Sequence, residues 1–152
     1  MENLLKTIVR LETSDILRKD ETLKEFLIEE KAFYILWNAT DKIIEVYWKS
    51  LATGKDYEKM LSNLVDFANH KTARKILIDQ TQLKTDQQLY SEWKKSEMIP
   101  FLLGSTQVRV NATLVDSTYP TEKTNSSILS KIFAIKNFDS MEKATKWLRE
   151  TN

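Results

Sequence analysis

The segment Arg74-Lys75-Ile76-Leu77-Ile78-Asp79 restricts the fold of this chain more than any other. It is an apolar run that ends on an acid, preceded by an amphipathic helical pattern and followed by a second helix opening at Thr85. A continuous apolar run bounded in this way reads as an interior parallel strand with a crossover helix on either side. The pattern predicts an α/β fold: a mixed, largely parallel sheet of four to five strands covered by helices.

The rest of the chain fills in around that strand. Residues 1–30 read as an N-terminal helical extension, with residues 31–150 as the main domain. In the extension Leu4, Leu5, Ile8 and Leu11 form one stripe, although Thr7, Ile8 and Val9 also permit a strand, and Thr22-Leu23-Lys24-Glu25 has the Thr-x-x-Glu capping spacing with Leu23, Phe26 and Leu27 on one face. Such an arm packs on its own domain or joins two copies into a homodimer. Ala32–Trp37 and Ile43–Trp48 are rich in aromatic and β-branched residues, and the polar break Asn38-Ala39-Thr40-Asp41 makes them a hairpin. Asp56 can cap a helix running through His70, because Tyr57, Met60, Leu61, Leu64, Phe67 and Ala68 recur at helical spacing. After the polar stretch Gln80–Lys84, Thr85-Asp86-Gln87-Gln88 forms a second capping box, and Pro100 breaks or restarts the helix it opens. Val108, Val110, Ala112 and Leu114 alternate with Arg109, Asn111 and Thr113, which predicts a half-buried strand. Ser117–Ser130 is polar and reads as a loop or weak helix. A short strand over Ile132–Ile135 then leads to a last helix, begun at Asp139-Ser140-Met141-Glu142.

Residue supply excludes many chemistries. The glycines are two, Gly54 and Gly104, so neither a dinucleotide-binding turn nor a phosphate-binding loop can be written. There is no cysteine and His70 is the one histidine, which removes thiolate metal sites and His-Glu-x-x-His chemistry. His70 suits the C-terminal end of its helix, where the dipole favours a cation. A net charge of +1 with dispersed basic residues argues against nucleic acid. No run is long and apolar enough for a membrane span, and the charged N-terminus does not read as a signal peptide; the expectation is a cytoplasmic protein.

Several ordered words carry a family resemblance. Tyr47-Trp48-Lys49 ends the hairpin before Thr53 and the helix with Tyr57; Ile76-Leu77-Ile78-Asp79 follows, then a helix with Trp93, then Gly104 leading into Val108–Val115. Phe138-Asp139 precedes Glu142, Ala144, Trp147 and Leu148. Over residues 31–150 this order resembles the SpoIIAA-like (STAS-like) domains, particularly small stand-alone bacterial members. The resemblance implies a non-catalytic regulatory or protein-binding module without a cofactor. Phosphorylated members open the helix after the central strand with an Asp-Ser-Ser-Gly-like motif. The matching place here reads Thr85-Asp86-Gln87-Gln88: Asp86 matches, the serines and glycine do not, and a phosphoserine switch is not expected. Lipid-binding Sec14-like domains of the same superfamily make a small-molecule or lipid carrier the alternative.

Two sets of site residues follow. The polar loop Gln80–Asp86 lies where α/β sheets place ligands, and Asp79, Lys84, Thr85 and Asp86 are the candidate surface for an unidentified protein partner. Asp79 and Asp116 both follow strands and form an acidic pair that could hold Mg²⁺ or share acid and base roles in a carboxylate-based enzyme. The plainer expectation is that Asp79 accepts hydrogen bonds from its own loop and Asp116 begins a turn. Trp48, Trp93 and Trp147 are expected in the core, and Lys71, Arg74 and Lys75 on the surface before the central strand.

Overall fold

The computed structural model describes residues 23–116 and 132–151. The expected stripe over Leu4–Leu11, with its proposed dimer arm, and the polar segment Ser117–Ser130 lie outside the described residues. Six strands form one sheet in sequence order: β1 (Lys24–Glu29), β2 (Phe33–Asn38), β3 (Ile43–Trp48), β4 (Lys75–Asp79), β5 (Val110–Leu114) and β6 (Ala134–Phe138). The first three are antiparallel, and β3 to β6 run parallel. The architecture is therefore the mixed, largely parallel α/β sheet read from the sequence, with β4 and β5 side by side as their connecting helix requires.

One expectation is corrected at the N-terminal edge. Lys24–Glu29 is a strand, not a helix, and it raises the strand number to six. Its backbone pairs with the otherwise open edge of β2, from Lys24 opposite Asn38 to Glu29 opposite Tyr34, with a register shift between Phe26 and Ile28. The Leu23 N–H also donates to the Thr40 hydroxyl at 2.8 Å. A capping box is a local signal of about 1 kcal/mol, and a full ladder against a preformed strand outweighs it.

Helix α1 (Gly54–Lys71) crosses from β3 to β4. Its cap is Thr53, while Asp56, expected as the cap, stands in the first turn and accepts from the Thr53 N–H at 2.8 Å. The β4–β5 crossover is α2 (Gln87–Trp93), a π-helical turn (Lys94–Met98) and α3 (Ile99–Ser105). Pro100 thus does not break the helix. The preceding turn widens so that the Ile99 N–H donates to the Lys94 carbonyl, and Pro100 falls in the first turn of α3, where its missing donor costs nothing. These helices cover one sheet face, burying Ile44, Val46, Trp48, Ile76 and Ile78 against Met60, Leu64, Tyr90 and Leu102. Helix α4 (Met141–Glu150) covers part of the other face, where Ala144 and Leu148 meet Ile43, Leu77, Val110 and Ala112.

The last two strands also depart from expectation. Every residue of β5 is buried, so the strand is covered on both faces rather than half-buried. The final strand is Ala134–Phe138, shifted toward α4 from the expected Ile132–Ile135.

Candidate functional site

At the carboxyl end of β4 the chain enters a loop clamped by its own polar groups. One Asp79 carboxylate oxygen accepts from the Thr81 N–H at 2.9 Å and from its hydroxyl at 2.6 Å. The Gln80 N–H donates to the Leu114 carbonyl at 3.0 Å, and the Leu83 side chain is buried. Lys84 forms a parallel bridge to Leu51, its N–H donating to the Ser50 carbonyl at 3.3 Å. Thr85 shares a short hydrogen bond with the Tyr57 hydroxyl. It does not cap α2. Asp86 does, accepting from the Gln88 and Leu89 N–H groups at 3.0 and 3.1 Å. That carboxylate occupies the Gln88 and Leu89 amides at the helix terminus, for which a partner's acidic group would have to compete.

The structure therefore brings Asp79, Lys84, Thr85 and Asp86 into one short, ordered loop and gives them different work. Asp79 and Thr85 are tied to their neighbours; Lys84 and Asp86 are exposed. On either side stand Leu51 and Leu89, 69% and 61% exposed. Sequence reading missed this apolar pair because a leucine before a helix and a leucine within one both fit a core pattern. Asp116 is exposed beyond β5, and the Asp79 oxygen described above already serves Thr81. Among the described residues no three or more His, Asp or Glu side chains gather into a metal-binding group.

Beneath the π turn lies a second set of polar groups. Lys94 is buried, its ammonium 3.3 Å from the Thr113 hydroxyl and 3.5 Å from the Gln80 side-chain oxygen, and 5.7 Å from the Tyr90 ring centre. Asn111 projects from the same face of β5 as Thr113, fully buried, with neither side-chain polar atom hydrogen-bonded. An alternating strand pattern assigns Asn111 and Thr113 to solvent, and only the covering helices reverse that.

On the opposite face Glu45 is buried and organises a network. Its carboxylate accepts from Lys24 at 3.0 Å, from the Tyr47 hydroxyl at 2.6 Å and from the Asn38 amide at 3.1 Å. Asn38 also donates to Asp41, which accepts two bonds of 3.0 Å from Arg149 of α4. Burial pushes the Tyr47 phenol well above its ordinary range, and the adjacent Glu45 carboxylate adds to the shift. Tyr34, stacked on Tyr47 with ring centres 4.9 Å apart, is also raised, first by burial and then by the charge of Asp79. The Tyr47 phenol is thereby held protonated as the donor to Glu45.

The remaining candidates separate. Lys71 pairs with Glu25 at 3.0 Å and lies over the Trp37 ring, while the Lys75 ammonium donates to the Leu148 carbonyl at the end of α4, so the basic cluster before β4 is divided. His70 is exposed in the last turn of α1. Trp48 is buried and donates to the Tyr90 hydroxyl at 2.9 Å; Trp93 contacts Tyr57 and Tyr90, and Trp147 contacts Phe138.

No family model matches the chain, and no curated protein matches it. Among solved structures the chain is similar to an uncharacterised protein of the DUF3478 family from Shewanella loihica PV-4, described as having a SpoIIAA-like fold. That similarity covers 84% of this chain and 94% of the other at 17% identity, with a TM-score of 0.46. No helix among the described residues is long and apolar enough to cross a membrane.

Proposed function

We propose that this protein is a non-catalytic, cytoplasmic regulatory module that binds a protein partner through the loop at the carboxyl end of β4. The observation that carries the reading is the exposed Leu51, bridged to Lys84, together with the exposed Leu89 in the first turn of the helix that follows, on a loop held by its own hydrogen bonds. Exposed leucines beside an ordered charged group resemble the apolar centre and polar rim of a transient interface, and the rigid loop limits the ordering cost of binding. Lys84 and Leu89 are the contact residues in this reading. Asp86 serves mainly as the helix cap, and Thr85 is engaged with Tyr57, which argues against a phosphorylation switch there. The test is co-purification from the native host with Lys84→Glu and Leu89→Glu. Partner recovery should fall at least about tenfold, since burying an unpaired charge at an interface costs over 1.4 kcal/mol. Unchanged recovery by a folded variant refutes this surface.

A small-molecule carrier is the second reading, favoured by one observation: the fully buried Asn111 amide lacks partners beside the Thr113–Lys94–Gln80 group. Buried polar groups are normally satisfied, so a bound polar molecule would supply what the protein does not. Native mass spectrometry of host-purified protein should then reveal a retained small ligand that Asn111→Leu releases. A ligand-free spectrum removes this reading.

A further inference from the structure

A groove of about 580 Å³ runs between α1 and the α2–α3 segment, and its lining includes no residue of the β4 loop, the Lys94 group or the Glu45 network. Its apolar lining is Leu61 and Val65 from α1, with Trp93 and Phe101 from across the groove. Phe101 is 51% exposed, on the side of α3 that Ile99 and Leu102 leave uncovered. The charged lining is wholly acidic: Glu58 and Asp66 on one wall and Glu97 on the other, with no lysine or arginine among the lining residues. All three carboxylates are exposed, and none forms an ion pair among the described residues. The acidity is local, because the whole chain carries a net charge of +1.

We infer that this groove is a second docking surface, which takes a basic amphipathic helix from a partner protein. A helix presents apolar residues every three or four positions, matching a strip of Leu61, Val65, Trp93 and Phe101, and its flanking lysines and arginines face the two acidic walls. Glu58 and Asp66 lie eight residues apart on α1, about 12 Å along its axis, so cations roughly two turns apart on the partner meet both. Charge also argues against the chain's own first 22 residues as occupant. They hold four basic residues (Lys6, Arg10, Arg18 and Lys19) against five acidic ones (Glu2, Glu12, Asp15, Asp20 and Glu21).

The test uses the full chain and a synthetic amphipathic helical peptide of leucine and lysine, with a leucine–glutamate peptide of the same pattern as control. Binding is read by titration calorimetry and by Trp93 fluorescence. The Leu/Lys peptide should bind, the control should not, and Glu58→Lys with Asp66→Lys and Glu97→Lys should weaken binding about tenfold or more, as three lost ion pairs allow. Phe101→Ala should weaken it independently, and Lys84→Glu should leave it unchanged, which separates this groove from the β4 loop. Equal affinity of the triple charge variant, or binding of the control peptide, overturns the inference. So does self-association of the chain that Phe101→Glu abolishes, because the occupant is then a second copy.

Discussion

The two faces of the central sheet are held by different physics. On the face covered by α1 to α3, the buried side chains of β3 and β4 are Ile44, Val46, Trp48, Ile76 and Ile78, closed by an aromatic group of Phe33, Tyr57, Tyr90 and Trp93. On the other face α4 covers an apolar patch that runs from Ile43 of β3 to β6, and the adjoining β1–β3 region carries the Glu45 network. Apolar burial is non-directional and tolerates approximate fit, whereas a buried carboxylate must find a donor for each lone pair. The first face therefore supplies stability and the second fixes geometry, tying β1, β2, β3 and α4 together through Lys24, Asn38, Tyr47, Asp41 and Arg149.

On the apolar face Leu64 is fully buried at the centre of the α1 interface. Leu64→Ala should destabilise the protein by about 2–5 kcal/mol in urea unfolding, the range for a buried leucine that leaves a cavity. A loss below about 0.5 kcal/mol would mean that α1 does not seal the apolar face. Glu45→Ala should cost less, about 2–3 kcal/mol, because Lys24 can return to water while the Asn38 amide and Tyr47 hydroxyl lose an acceptor. Glu45→Gln should recover part of this loss. If Glu45→Ala matches wild type, the network is ornament on a face stabilised by its leucines and isoleucines alone.

These faces were not equally legible in the sequence. The helical spacing of Tyr57, Met60, Leu61, Leu64, Phe67 and Ala68 and the apolar run Ile76–Ile78 specify burial without reference to anything distant, and all are found buried except Phe67, which is partly buried. The Glu45 network joins residues up to 108 positions apart, as Arg149 is from Asp41, and no local pattern encodes such a meeting. In β5 the reading failed for a related reason: Asn111 and Thr113 take the polar places of an alternating strand, yet they sit in the interior of a sheet with helices on both sides. At Lys24–Glu29 a local helix signal lost to pairing with β2, whose open edge is a property of the whole sheet. That a loop over Gln80–Asp86 follows β4 is legible because a strand's end is local, but the exposed Leu51 beside it depends on the bridge to Lys84.

Among the buried polar residues on the face covered by α1 to α3, which also include Gln80, Lys94 and Thr113, Asn111 stands out because neither of its side-chain polar atoms is hydrogen-bonded. Asn111→Leu exchanges an unsatisfied amide for an apolar group of similar size, and it should stabilise the protein by about 1–2 kcal/mol in the absence of ligand. Measured destabilisation would mean that the amide has partners under native conditions, either water or the small molecule of the carrier reading.

The smallest expected effect belongs to neither face and calibrates both. After α1 the chain turns at Thr72, a β-branched residue in the left-handed region at φ 49° and ψ 43°. The turn is required: the Ala73 N–H donates to the Ala68 carbonyl at 2.9 Å and the Thr72 N–H to Asn69 at 3.3 Å, which closes the helix and aims the chain into β4. Ala68 and Ala73 meet beneath it, both buried. Glycine takes this conformation without the Cβ clash, worth about 1–2 kcal/mol, but loses more entropy on folding, about 0.5–1 kcal/mol. It also gives up the short hydrogen bond from the Thr72 hydroxyl to the Lys71 carbonyl, which is exposed and so contributes little. Thr72→Gly should therefore stabilise the protein by about 0.5 kcal/mol, raising Tm by roughly 1–2 °C in a chain of this size. A fall in Tm would show that the threonine side chain holds the helix end by more than its backbone angle, and that the α1–β4 junction draws stability from contacts beyond the two faces.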